Sequence, residues 1–121
     1  MVYTHNRFEK LHEKKILPDF IIVGAGKSGT TTLSNHLNNH NSIHLPEIEP
    51  HFFNKDENFK KGLNLKWYSE ILTNKISPKK NNKILIGEST PAYSYQPNCA
   101  KRIHTFVPNV KLIWMFRDPI E

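Results

Sequence analysis

The chain has 121 residues, a formal net charge of +6 at pH 7 and a single cysteine, Cys99. This length suffices for one hydrophobic core of modest size, and the basic charge favours an anionic partner without naming it. One cysteine excludes an intrachain disulfide and a cysteine-based metal site. The charged residues 1–17 contain no apolar region typical of a signal peptide, and no apolar run is long enough to span a membrane. We therefore expect a cytoplasmic protein without a membrane anchor.

Short apolar runs alternate with helical patterns along the chain. The apolar runs predict strands at residues 20–23, 42–45, 84–86 and 110–116. A short charged helix is expected at residues 6–16, and apolar spacing and proline positions predict helices at residues 30–39, 64–73 and 98–106. Residues 75–82 read as a polar loop. Strands that alternate with helices predict an α/β fold with a parallel sheet and right-handed crossovers.

A glycine-rich turn joins the first predicted strand to the first long helix. Glycines let the backbone wrap closely around an anion, and the N–H groups at the start of a helix point toward it. A lysine in the turn adds a positive charge, and the threonines after it add hydroxyl donors. The turn therefore predicts a phosphate-binding site formed by Gly26, Lys27, Ser28, Gly29, Thr30, Thr31 and Thr32.

Two common phosphate-binding loops can be compared with this turn. The P-loop of nucleotide triphosphatases requires a glycine five residues before Gly26, where the chain has Ile21, so that signature is absent. The dinucleotide pattern G-x-G-x-x-G matches Gly24, Gly26 and Gly29, with an acidic residue, Glu49, twenty positions further on. A protein that binds NAD or FAD in a Rossmann-type fold therefore stays open as an alternative.

Charged residues follow each of the four predicted strands. Lys27 follows the first strand, Glu49 the second, Glu88 the third and Arg117 the fourth. The carboxyl ends of parallel strands meet at one edge of a sheet, where ligands of open α/β sheets bind. We therefore expect these four side chains to belong to a single site.

Several motifs along the chain resemble, in the same order, those of sulfotransferases that use 3′-phosphoadenosine 5′-phosphosulfate (PAPS). The most similar variant is the heparan-sulfate type with its bacterial relatives. The resemblance covers residues 18–121 and implies a P-loop-like three-layer fold with a parallel sheet between helices. It rests on Lys27–Thr31, Glu49–Phe53, Gly87–Tyr93 and Phe116–Pro119, with Lys61–Leu63 and Trp67–Tyr68 between them.

The resemblance also implies roles for individual residues. Lys27 is expected beside the bridging oxygen and the 5′-phosphate, and Arg117 at the 3′-phosphate. Glu49 is expected to act as general base, with Glu47 as the competing assignment, and His51 to orient the acceptor or take part in proton transfer. Gly29, Thr30 and Thr31 are expected to donate hydrogen bonds to the 5′-phosphosulfate.

The expected acceptor is a hydroxyl or an amine, most naturally on a carbohydrate. Two positions depart from the heparan-sulfate type, since Ile48 replaces a basic residue and Ser89 replaces a lysine. Glu88 is expected either to hold loops together or to contact the acceptor. Four aromatic residues are expected in the core rather than on a substrate platform, namely Phe52, Phe53, Trp67 and Tyr68.

Other classes of partner have little support in the sequence. The histidines are scattered without paired ligand spacing, so no metal is expected. The lysines of residues 75–83 have no aromatic residues among them, which argues against nucleic acid. The resemblance begins near residue 18, so residues 1–17 are expected to form a charged N-terminal extension. Because members of the family are longer, the resemblance implies that residues 18–121 are the N-terminal part of a sulfotransferase domain that stops within the 3′-phosphate motif. A catalytically incomplete nucleotide-binding fragment is therefore a further alternative.

Overall fold

The fold alternates short strands with helices, and a computed structural model describes it for residues 16–26, 29–60, 64–116 and 118. The strands are β1 (Phe20–Gly24), β2 (Ile43–His44), β3 (Leu85–Ser89) and β4 (Lys111–Trp114). The helices are α1 (Thr30–Asn38), α2 (Glu57–Lys60), α3 (Leu65–Leu72) and α4 (Cys99–Phe106), with a 3-10 turn at Pro91–Ser94.

The four strands form one parallel sheet in the order β2–β3–β1–β4. All five residues of β1 are buried, as expected for a strand with a neighbour on each side and helices on both faces. Phe20 of β1 lies directly beside Gly87 of β3. A Cβ atom on Gly87 would come within 2.2 Å of the Phe20 ring, so only glycine fits at this position.

The side chains of β1 alternate between two apolar layers. Phe20 and Ile22 pack with Leu33 and Leu37 of α1 on one face of the sheet. The other face carries the larger cluster, which includes Ile21, Val23, Phe52, Phe53, Tyr68, Leu72, Ile103 and Val107. Helices therefore cover both faces of the sheet, and the predicted three-layer α/β fold is confirmed.

The connections that leave β1 and β3 run in opposite directions. The chain goes from β1 through α1 to β2 on one side, and from β3 through α4 to β4 on the other. Neighbouring parallel strands whose connections lead toward opposite edges of the sheet mark the place where ligands of open α/β sheets bind, at the carboxyl ends of the strands. The predicted position of the site at these ends therefore agrees with the strand order.

Most predicted elements are present, with different ends. β2 and β4 are shorter than predicted, whereas β3 extends to Ser89 because its pairing with Ile22 of β1 continues that far. The short helix α2 and the 3-10 turn were not predicted. The helix expected at 6–16 lies outside the described residues except for Ile16. Within the described part of the chain, no helix has the length and apolar character needed to cross a bilayer.

Candidate active site

The start of α1 has the backbone features expected of an anion site. Gly29 precedes the helix with φ of 84°, a left-handed conformation that glycine adopts readily. Thr30 is buried, whereas Thr31 and Thr32 are exposed at the first turn. The first N–H groups of a helix have no partner within it and favour a negative charge. Gly26 is also exposed, and Lys27 and Ser28 lie outside the described residues.

The ends of β1 and β4 are held together beside this helix. Ala25 N–H donates to the Met115 carbonyl at 2.9 Å, and Met115 N–H donates to the Gly24 carbonyl at 2.7 Å. A Cβ atom on Gly29 would lie 3.7 Å from Met115 Cε, so the start of α1 is close to the end of β4. The predicted meeting of these two strand ends is confirmed. Arg117, two residues beyond Met115, lies outside the described residues.

Glu49 and His51 form a hydrogen-bonded pair at the same edge. Glu49 Oε1 lies 3.1 Å from His51 Nε2, and the two side chains are 49% and 38% exposed, respectively. Asn54 Nδ2 lies 3.0 Å from His51 Nδ1. An amide N–H donates, so Nδ1 accepts and the proton of a neutral ring is on Nε2, pointing to Glu49. The pair therefore has the geometry of a carboxylate whose position is set by a histidine.

Glu49 also faces the helix that follows the glycine-rich turn. A small pocket between α1 and the segment after β2 is lined by Thr31, Glu47, Ile48, Glu49 and Ser89. The structure thus brings together residues that follow β1 and β2 and the last residue of β3. Glu49 alone of the two candidate bases also contacts His51, which favours it over Glu47 for that role.

Glu88 is completely buried, so contact with an acceptor is excluded for it in this structure. Three hydroxyl groups donate to its carboxylate, those of Tyr68, Thr90 (2.6 Å) and Tyr93 (3.0 Å). Burial raises the pKa of Glu88 to about 7, against the three hydrogen bonds that favour the ionised form, while the charge of Glu49 raises it further. The expectation that Glu88 holds loops together is the one that the contacts support.

The aromatic residues divide into core and surface. Phe52, Phe53 and Tyr68 are fully buried, as predicted, but Trp67 is 37% exposed, so its assignment to the core was wrong. Trp67 precedes Tyr68 on α3, and a step of one residue turns a helical side chain toward a different face. Trp67 lines a cleft of about 400 Å³ that also contains Glu49, His51, Lys55, Glu57 and Asn64.

Arg102 of α4 also binds the segment between β2 and α2. Arg102 donates to the Phe53 carbonyl at 3.0 Å and forms an ion pair with Asp56 at 2.6 Å. Its guanidinium also lies 4.5 Å from the centre of the Phe59 ring. Sequence patterns did not indicate Arg102, because Phe53 and Asp56 are distant from it in the sequence, nor Asn54, which also donates to the distant Gln96 at 2.7 Å.

The lysine-rich loop of residues 75–83 lies at the amino ends of the strands, opposite the candidate site. Residues 75–83 come directly before β3, so they lie at its amino end, whereas the candidate site lies at the carboxyl ends. Lys80 Nζ donates to the carbonyls of Asn38 and His40 (2.8 Å to His40), which follow from the end of α1. The lysines of this loop therefore do not face the candidate site.

Comparisons with known proteins agree with this geometry. The chain is 41% identical over 106 residues to the membrane-associated sulfotransferase kil1 of Dictyostelium discoideum, covering 87% of this chain and 21% of that protein. It is 34% identical over 106 residues to human heparan sulfate glucosamine 3-O-sulfotransferase 3B1, covering 88% of this chain and 25% of that protein. The chain is thus similar to sulfotransferases over most of its own length. The predicted resemblance is thereby confirmed.

A solved structure supports the same relationship. The crystal structure of a sulfotransferase from Alicyclobacillus acidocaldarius matches with a TM-score of 0.64 and 26% identity, over 87% of this chain and 46% of that one. No protein-family model matches the chain. The chain spans about a fifth to a quarter of the two curated sulfotransferases named above. The Rossmann-type alternative is not favoured by these relatives, and the division into an extension at 1–17 and a partial domain at 18–121 stays a prediction.

Proposed function

We propose that this site takes part in sulfuryl transfer from PAPS to a hydroxyl or amine acceptor. The observation that carries the proposal is the pocket shared by Thr31, at the start of an anion-favouring helix, and Glu49, which pairs with His51. A phosphosulfate donor needs the first feature and an acceptor that must lose a proton needs the second. The names of the relatives support the same reaction class.

The donor would lie across the ends of β1 and β4. In this proposal Lys27 binds near the bridging oxygen, and the 5′-phosphosulfate accepts hydrogen bonds from the turn and helix residues Gly26, Ser28, Gly29, Thr30, Thr31 and Thr32. Arg117 would bind the 3′-phosphate with two parallel hydrogen bonds, a geometry that lysine cannot offer. The closeness of Gly29 to Met115 supports a ligand that touches both segments. No metal is needed in this arrangement.

Glu49 would act as the general base. Its carboxylate accepts the proton of the acceptor while the acceptor oxygen or nitrogen forms a bond to sulfur. The bond between sulfur and the 5′-phosphate oxygen breaks, and adenosine 3′,5′-bisphosphate leaves with the electron pair. His51 donates to Glu49 through Nε2–H and so holds the carboxylate in place.

The acceptor would enter the cleft beside Glu49 and His51. Trp67 offers an exposed aromatic face there, and Lys55, Glu57 and Asn64 offer polar groups for hydroxyls. An apolar platform with a few polar groups is typical of a site for a small organic ligand. We propose a carbohydrate acceptor, in line with the heparan sulfate acceptors named for the relatives.

A nucleotide titration tests the proposal. Adenosine 3′,5′-bisphosphate, ADP and NAD are added to ¹⁵N-labelled chain, and amide shifts are recorded by NMR. We expect the bisphosphate to shift Gly29, Thr30 and Thr31 at lower concentration than ADP does, because ADP lacks the 3′-phosphate. Lys27→Ala should weaken binding about tenfold or more, whereas Lys79→Ala, at the opposite edge of the sheet, serves as the matched control.

Two outcomes would contradict the proposal. Equal or tighter binding of NAD would favour a dinucleotide protein, and equal binding of ADP would remove the reason for a 3′-phosphate site. Binding without turnover by a chain with intact Glu49 would instead favour the catalytically incomplete fragment.

The cytoplasmic location also stays a proposal, because one relative is named membrane-associated, and cell fractionation tests it.

A further inference from the structure

The backbone N–H groups of residues 51–53, shortly after Glu49 in the sequence, donate to two side-chain hydroxyl groups. His51 N–H donates to Thr90 Oγ1 at 3.4 Å. Phe52 N–H and Phe53 N–H both donate to the Tyr93 hydroxyl, at 3.0 and 3.3 Å. Residues 51–53 form neither a helix nor a strand, so these contacts take the place of regular backbone hydrogen bonds.

Both hydroxyl groups donate their own protons to Glu88. Thr90 donates to Oε1 and Tyr93 to Oε2 of its carboxylate. A hydroxyl has one proton, so a hydroxyl that donates to Glu88 turns its lone pairs toward the backbone N–H groups. Above its pKa of about 7, Glu88 is ionised, and its carboxylate then accepts and never donates, so it enforces this orientation.

The backbone conformation of His51 is a second reason why residues 51–53 depend on these hydrogen bonds. Its φ is 50°, in the left-handed region that residues other than glycine seldom adopt. A conformation of this kind persists when the surrounding contacts hold it in place. The bond from His51 N–H to Thr90 is one such contact, and it leads directly to Glu88.

We propose that Glu88 is a positioning residue that sets the geometry of Glu49 and His51 through the oriented hydroxyls of Thr90 and Tyr93. The inference rests on the proposed function, since it assigns to Glu88 a role in the same site. Glu88 touches neither donor nor acceptor, because it is fully buried. Its effect reaches the pair through the backbone of residues 51–53.

Two tyrosines provide a matched pair for the test. Tyr68 and Tyr93 both donate to Glu88, and both rings pack in the same aromatic cluster, but the described contacts of the Tyr68 hydroxyl include no backbone N–H of residues 51–53. Tyr93→Phe should raise amide hydrogen exchange at Phe52 and Phe53 about tenfold, while Tyr68→Phe leaves both within about threefold of the wild type. Of these two variants, Tyr93→Phe should change the ¹⁵N shifts of the His51 ring and Tyr68→Phe should not.

Thr90 provides an independent second pair. Thr90→Val removes the hydroxyl at constant shape and should raise exchange at His51, whereas Thr90→Ser keeps the hydroxyl and should restore protection. Glu88→Gln should affect all three amides, because its amide group adds donors where the neighbours already donate. These readouts need no turnover, so their outcome is separate from that of the nucleotide titration.

Equal increases in amide exchange at Phe52 and Phe53 in the Tyr68→Phe and Tyr93→Phe variants would overturn the proposal. They would show that the loss of any hydrogen bond to buried Glu88 loosens the segment, whichever hydroxyl donates it. Unchanged His51 ring shifts in Tyr93→Phe and Thr90→Val would overturn it as well. In a sulfotransferase assay we expect Tyr93→Phe to lower kcat about tenfold with the KM for PAPS unchanged. A changed KM for PAPS with unchanged kcat would contradict the proposal, in which Glu88 positions the general base and does not contact the donor.

Discussion

The carboxyl group of Glu88 has an environment that makes stability depend on pH. Its folded pKa of about 7 exceeds the ordinary value of 4.5, chiefly because of burial. The stabilising effect of the bound proton is therefore complete below pH 4.5 and is lost as the pH rises through 7. At about 1.4 kcal/mol per unit, this change amounts to about 3 kcal/mol.

Replacing Glu88 with glutamine should remove this dependence. We expect the free energy of unfolding of the wild type, measured by urea denaturation, to fall relative to that of Glu88→Gln by about 3 kcal/mol from pH 4.5 to 8. Among the described residues, the titratable groups that face Glu88 are Tyr68, Tyr93, Cys99 and Glu49. Burial raises the pKa of both tyrosines well above their usual value, so they stay protonated in this range. Glu57→Gln, at an exposed carboxylate, is the control, and a flat difference for Glu88→Gln would contradict the prediction.

Among the secondary-structure elements, α1 depends on a lysine from a distant loop. Lys80 donates to two carbonyls at its carboxyl end, where the helix dipole favours a positive charge. Partial burial lowers the pKa of Lys80. The contact ties the end of α1 to the loop before β3.

Lys80→Met should therefore destabilise the chain by about 1–2 kcal/mol in thermal or urea denaturation. The neighbouring Lys79 is exposed, and Lys79→Met should change stability by less than about 0.5 kcal/mol. Equal effects of the two substitutions would show that the loss of one surface charge, rather than the bonds to α1, explains the result.

For the molecule as a whole, the edge strand β4 and the two residues after it present an apolar stripe. Leu112, Trp114 and Phe116 are 48%, 45% and 79% exposed, and the rings of Trp114 and Phe116 stack 5.9 Å apart. In the described sheet β4 pairs on one side, with β1. Exposed apolar residues on an edge strand promote association.

Trp114→Lys should consequently raise the solubility of the chain, measured by precipitation with ammonium sulfate. Tyr95→Lys is the control, because Tyr95 is 73% exposed but does not belong to the stripe. If both substitutions raise solubility equally, added charge explains the gain and the stripe does not.

Much of the fold could be predicted because the relevant patterns are local. Apolar runs predicted the strands, and apolar spacing and proline positions predicted the three longer helices. The charged residues after the strands predicted the strand ends at which the candidate site lies. The resemblance of Glu49–Phe53 to a sulfotransferase motif also singled out Glu49 and His51, and they form a pair. Roles for Lys27, Ser28 and Arg117 come from motifs and stay predictions.

The sequence by itself determined the type and order of the elements, since hydrophobic periodicity and glycine-rich turns act over a few residues. Tertiary structure decided which face of α3 exposes Trp67, on which edge the lysines lie, and what Glu88 contacts. These features depend on partners brought close by crossovers, such as Tyr68, which is twenty residues from Glu88 in the sequence. No local pattern records such a pairing, because the direction of a buried side chain is set by the packing of the whole sheet.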